Sequence, residues 1–126
     1  MRLLLDTHVL IWTLSDPGQL PDALRAAIEA PSNVVYVSAA SVWEIAIKAA
    51  IGKIDFPAED FPGAIAEIGF MELPVTVAHA HAVRGLPQHH RDPFDRMLAV
   101  QSSIEKLTLI TKDPVFTLYG TKTMWR

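Results

Sequence analysis

The chain has 126 residues, half of them hydrophobic and a fifth charged, which is the balance of a globular protein able to bury about two-thirds of its unfolded surface in a single domain spanning residues 1–126. It has no cysteine, which excludes a disulfide framework and a thiolate metal site. Its opening Met1-Arg2-Leu3-Leu4-Leu5 run meets an acid at Asp6, too early for a signal peptide, and no apolar run approaches the roughly 20 residues that cross a bilayer, so a cytoplasmic protein is expected.

Taken in chain order, Leu3 to Leu5 is a short apolar run that predicts a strand buried on both faces. Helical patterns follow over Thr7 to Leu14 and Pro21 to Ala30. Val34 to Val37 reads as a second strand, and Ala39 to Ile51 as a helix that Gly52 stops. A helix over roughly Pro62 to Ile68 precedes a weaker strand at Met71 to Leu73. Helices over Val77 to Val83 and Pro93 to Lys106 lead to a strand at Thr108 to Thr111, and Thr123 to Trp125 adds an edge. There is no internal repeat and no linker. Strands alternating with helices predict an α/β fold with a parallel sheet covered on both faces. In such sheets, sites form beyond the carboxyl ends of the strands, where the strand order reverses.

Carboxylates occupy those positions. Asp6 ends the first strand and Asp113 follows the Thr108 strand; Asp92 and Asp95 open the helix before it, and Glu44 lies near the start of the helix after the second strand. Each has a structural explanation. Asp92-Pro93 and Asp113-Pro114 suit an N-cap followed by Pro, Asp95 stands where a capping box places a carboxylate, and Asp6 could cap the next helix. Glu44 and Lys48 form a favourable i,i+4 pair. Together these readings explain less, because Ser, Thr or Asn would cap as well and Glu44 caps nothing. Converging carboxylates repel one another unless cations intervene. Mg²⁺ and Mn²⁺ favour such oxygens, and a cluster holding one or two ions can activate water for attack on phosphorus. The net charge of −3 argues at first sight against a nucleic-acid partner, but two bound Mg²⁺ would add four charges and bring it to +1.

Leu5-Asp6-Thr7-His8, Ser38-Ala39-Ala40-Ser41-Val42-Trp43-Glu44-Ile45-Ala46-Ile47-Lys48, His90-Arg91-Asp92-Pro93-Phe94-Asp95-Arg96 and Leu109-Ile110-Thr111-Lys112-Asp113 resemble the VapC-type PIN-domain toxins. The resemblance runs from Met1 to Trp125, in order and without large gaps. It implies a PIN-like three-layer fold with about five parallel strands flanked by helices. It also implies a Mg²⁺- or Mn²⁺-dependent endoribonuclease acting as the toxin of a toxin–antitoxin pair. Structured RNA of the tRNA or rRNA class would be the substrate, a cognate antitoxin the inhibitor, and a homodimer a frequent state. Carried over by position, the four acids are Asp6, Glu44, Asp95 and Asp113, with Asp92 as an outer metal group.

Arg84, Arg91, Arg96, Lys48 and Lys112 are candidate RNA-phosphate contacts, because each lies near an acid-bearing segment. His89 and His90 read as loop residues or as a rim near phosphates; zinc, which prefers nitrogen and sulfur ligands, is disfavoured. His8 reads as a helix residue that could line the cleft; Trp12, Trp43 and the Ile and Leu residues of the first and third helices read mostly as core, with a partner groove as the alternative for some of them. Two other functions compete. An aspartyl-phosphate phosphatase also places Asp after its first strand, but it generally wants a second Asp two positions on, where His8 stands. A non-catalytic binding module would use its acids only as caps, would need no divalent metal, and would tolerate loss of Glu44.

Overall fold

The structure is a computed structural model that describes residues 1–54 and 60–126. Its centre is a five-stranded sheet of β1 (Arg2–Leu5), β2 (Val34–Ser38), β3 (Met71–Leu73), β4 (Thr108–Ile110) and β5 (Thr123–Met124). All pairings are parallel, and the order is β3-β2-β1-β4-β5. Among the described residues the α-helices are α1 (Thr7–Ser15), α2 (Asp22–Glu29), α3 (Ala39–Ala50), α4 (Phe61–Ile68), α5 (Val77–Ala82) and α6 (Pro93–Glu105). Short 3₁₀ segments at Pro17–Gln19, Val83–Gly85 and Pro114–Tyr119 are additional to the expected elements.

The period of two in a strand sorts β1 between two cores. Leu3 and Leu5 face a cluster with Val9 and Leu10 of α1, Leu24 and Ile28 of α2, Ile45 of α3, and Phe61 and Ile65 of α4. Leu4 faces the opposite cluster with Leu98 and Ala99 of α6, Leu107, Leu109 and Phe116. All three β1 leucines are fully buried, each a gain of about 1.5–3 kcal/mol from leaving water. Helices therefore cover both faces, as an apolar parallel strand requires.

Helix boundaries follow their caps. Ser38 accepts from Ala40 N–H at the start of α3, and Asp92 opens α6 with Pro93 at the first helical position. α6 stops at Lys106, a left-handed residue with φ 57°, and α4 stops at Gly69 with φ 91°. One expectation fails: Trp43 is 64 % exposed and Ile47 40 %, so this stripe of α3 faces outward and is not core. An amphipathic period marks a face to be covered without saying whether this chain covers it.

β1 pairs with β2 on one side and β4 on the other, so the chain order reverses between β1 and β4. Asp6 leaves β1 at that reversal, and Thr111 to Asp113 leave β4 beside it.

Candidate functional site

Asp6 is the N-cap of α1. Its Oδ1 accepts from Thr7 N–H at 2.7 Å, and its Oδ2 accepts from the Thr111 hydroxyl at 2.7 Å, tying the ends of β1 and β4 together. Burial raises its proton affinity; the bonds from Thr111 and Thr7 and the neighbouring His8 oppose that rise, and Glu44 adds to it. Glu44 arrives on α3 and is buried. The Thr7 hydroxyl donates to its Oε1 at 2.8 Å and Lys48 Nζ to its Oε2 at 2.6 Å. That bond to Glu44 is also the main reason the Lys48 ammonium is held above its ordinary range.

The two helices that supply Glu44 and Asp95 are linked at their bases. Ser38, while capping α3, donates to Gln101 Oε1 on α6 at 2.6 Å. At the start of α6, Asp92 Oδ1 accepts from Phe94 N–H at 2.8 Å and from Asp95 N–H at 3.3 Å. The Asp95 side chain does not close a capping box: among the described residues its carboxylate accepts no hydrogen bond, and the ring nitrogen Nδ1 of His90 lies 3.7 Å from its Oδ2. Burial first, then Asp6, Asp92 and Glu44, push its pKa up to about 7 against the pull of His90. Asp113 caps the following 3₁₀ segment, its Oδ1 accepting from Val115 N–H at 2.9 Å.

Asp6, Glu44, Asp92, Asp95 and Asp113 line one cleft of about 460 Å³, together with Thr7, His8, Lys48 and Lys112. The structural explanations weighed for these acids hold for Asp6, Asp92, Asp113 and the Glu44–Lys48 pair, yet the same side chains converge. Capping and convergence are compatible because a carboxylate has about four acceptor positions and a cap uses one or two.

The basic candidates divide. Lys48 and Lys112 line the cleft, while Arg84 and Arg91 are exposed. Arg96 is placed differently from the phosphate contact expected of it. It is buried, and its guanidinium donates to the carbonyls of Pro87 (3.0 Å), His90 (3.3 Å), Val83 (3.2 Å) and Leu86 (3.4 Å). Arg suits this role because it presents five donors in a rigid fork. His90 also departs from the exposed loop position expected of it. It is 19 % exposed, and its Nε2 lies 2.9 Å from Asp113 Oδ2. The signal for it in the sequence was only its position two residues before the cap Asp92. His8 is exposed on the cleft wall, and His89 is exposed with its ring against Tyr119.

The family model for the PIN domain matches residues 3–121. The chain belongs to the PIN-domain family. This PIN domain is similar in structure to the crystal structure of VapBC2 from Rickettsia felis bound to a promoter DNA fragment, with a TM-score of 0.72, 14 % identity and 98 % of each chain covered. It is also similar to DNA-bound VapBC from Salmonella typhimurium, with a TM-score of 0.71, 19 % identity and coverage of 100 % and 99 %. FitAcB from Neisseria gonorrhoeae gives a TM-score of 0.60 at 20 % identity, with coverage of 97 % and 96 %. No curated protein matches the sequence. Among the described residues of this PIN domain, no helix is long and apolar enough to cross a membrane.

Proposed function

We propose that this PIN domain is a Mg²⁺- or Mn²⁺-dependent endoribonuclease, the toxin of a toxin–antitoxin pair, acting in the cytoplasm on structured RNA of the tRNA or rRNA class. The observation that carries the reading is the Asp95 carboxylate: half-buried and under the charges of Asp6, Asp92 and Glu44, it takes no hydrogen bond among the described residues. A capping residue has no reason to stand so, whereas an oxygen left free for a cation does. The donor set fits the group, because hard carboxylate oxygens suit Mg²⁺ and Mn²⁺. Asp6, Asp95, Glu44 and Asp113 would hold the ion, with Asp92 outside them. Bound there, a divalent ion supplies Lewis acidity that activates water toward phosphorus and stabilises the leaving oxygen.

The chain's own residues prepare that site. Thr111 and Thr7 fix the rotamers of Asp6 and Glu44, so neither carboxylate reorients when substrate arrives. Lys112 on the cleft wall, with exposed Arg84 and Arg91, offers cations to RNA phosphates; Lys48 divides its charge between Glu44 and the cleft. The resemblance to the VapBC and FitAcB structures supports an antitoxin partner, and the exposed Trp43 and Ile47 of α3 supply apolar surface for that partner or for a second copy in a homodimer.

The test is cleavage of total bacterial RNA with and without Mg²⁺ by wild type and Asp95→Asn, with circular dichroism to establish folding. Removing the charge should lower cleavage by roughly a hundredfold or more, as loss of a catalytic electrostatic group does. Full activity in a folded Asp95→Asn protein would return Asp95 to a structural role and make Asp92 the third ligand.

A further inference from the structure

His90 is held more tightly than a loop residue needs to be. Its backbone N–H donates to the Tyr119 hydroxyl at 2.6 Å, and its carbonyl accepts from buried Arg96. Its ring lies 5.4 Å, centroid to centroid, from the ring of Phe116. Backbone and ring are thus fixed from three directions, so little rotamer freedom remains to be lost on binding. The ring so positioned stands between two carboxylates. Ligand atoms of His90, Asp95 and Asp113 lie within 4.8 Å of one another, close enough for one ion to touch all three.

The two ring nitrogens are not equivalent. Nε2 is at hydrogen-bonding distance from Asp113 Oδ2, 2.9 Å, and a carboxylate accepts, so Nε2 carries the proton. Nδ1 faces Asp95 Oδ2 at 3.7 Å, too far for a hydrogen bond. In the neutral ring that nitrogen has a lone pair aimed at the Asp95 side of the cleft. A carboxylate that fixes the far N–H of an imidazole while the near nitrogen faces a cation site is the usual arrangement around a ligating histidine.

We propose that His90 is a nitrogen ligand, through Nδ1, to the divalent ion of this cleft, with Asp113 orienting the ring. This rests on the metal-dependent reading above and adds to it: Asp113 uses one oxygen on the ring and another on its cap, and still has acceptor positions for the ion. A mixed nitrogen–oxygen set moves preference away from Mg²⁺ toward the transition metals, whose affinities rise from Mn²⁺ to Co²⁺ and Ni²⁺. Arg96 and Tyr119 are then positioning residues for the ligand.

The experiment uses the full chain titrated calorimetrically with Mn²⁺, Co²⁺ and Mg²⁺, and pulsed electron paramagnetic resonance of the Mn²⁺-loaded protein to detect ¹⁴N coupling. The wild type should show the coupling, and folded His90→Gln should lose it and bind Co²⁺ about 10- to 100-fold more weakly, with a smaller change for Mg²⁺. Should His90→Gln not fold, the double variant H8Q/H89Q, which leaves His90 in place, must keep the coupling. Mn²⁺ bound without ¹⁴N coupling, or a coupling that survives in His90→Gln or vanishes in H8Q/H89Q, overturns the assignment while the nuclease reading stands. Absence of any Mn²⁺ binding overturns both together.

Discussion

Asp95 shows how one side chain can hold a local conflict in reserve. Its pKa of about 7, against an ordinary 3.8, means that the fold favours its protonated form. Between about pH 4 and pH 7 the folded chain keeps a proton that the unfolded chain releases, so the contribution of this group to stability is full at low pH and is lost as pH rises through about 7. Without metal, the thermal midpoint of the wild type should therefore fall relative to that of Asp95→Asn between pH 5 and pH 8. Mn²⁺ should raise the wild-type midpoint more at pH 8 than at pH 5, because the ion replaces the proton as the neutralising partner. Melting curves of both proteins at both pH values, with and without Mn²⁺, test this; parallel pH profiles in the metal-free proteins would refute the conflict. At this scale the sequence was informative about which acids line the cleft and silent about how each is held. Asp6, Glu44, Asp95 and Asp113 could be named from their places at strand ends and helix starts. Arg96 could not be separated from a phosphate contact, because the four carbonyls that bind it are main-chain groups of a 3₁₀ segment and the loop after it, which carry no residue-type signature.

The elements were legible because their signals are local. The three leucines of β1, the Asp92-Pro93 start of α6 and the glycines after α3 and α4 all act within a few residues of themselves. The short 3₁₀ segments were not legible, since three to six residues are too few to show a period. At α6, capping and charge can be separated by experiment. Asp92 Oδ1 accepts two backbone N–H groups, so Asp92→Ala should cost about 1 kcal/mol, whereas Asp92→Ser, which keeps a capping oxygen, should cost a few tenths. If Asp92 is also an outer metal group, both variants should weaken Mg²⁺ binding alike. Urea unfolding and Mg²⁺ calorimetry distinguish the two roles: equal stabilities for Ala and Ser would deny the cap, and unchanged Mg²⁺ affinity would confine Asp92 to it.

For the whole molecule, order along the chain was legible and adjacency across it was not. The reversal of strand order between β1 and β4, which brings Asp6 to Thr111, is a property of the folded sheet, and the parallel α/β pattern only suggested where to look. The position of His90 depends on the same assembly, through Asp113 and Tyr119. The exposed stripe of α3, read mostly as core, is the converse case: a helix face that this chain's own core leaves uncovered. If the chain is a toxin, expressing it alone in bacteria should arrest growth, and co-expressing the adjacent gene should restore it. Normal growth with abundant folded protein would remove the toxin reading and leave nuclease activity to be judged on RNA.

The pairing of β1 with β4 also has a meaning in time. The chain is made from its N-terminus, and 107 positions separate Asp6 from Asp113. At about 5–20 residues per second, translation needs on the order of 5–20 s to pass from one acid to the other. Until β4 is made, β1 has at least one open edge, and Lys112 and Asp113 of the cleft wall follow β4. A ribosome that makes this protein therefore carries an incomplete acidic cleft until β4 and Asp113 have been made.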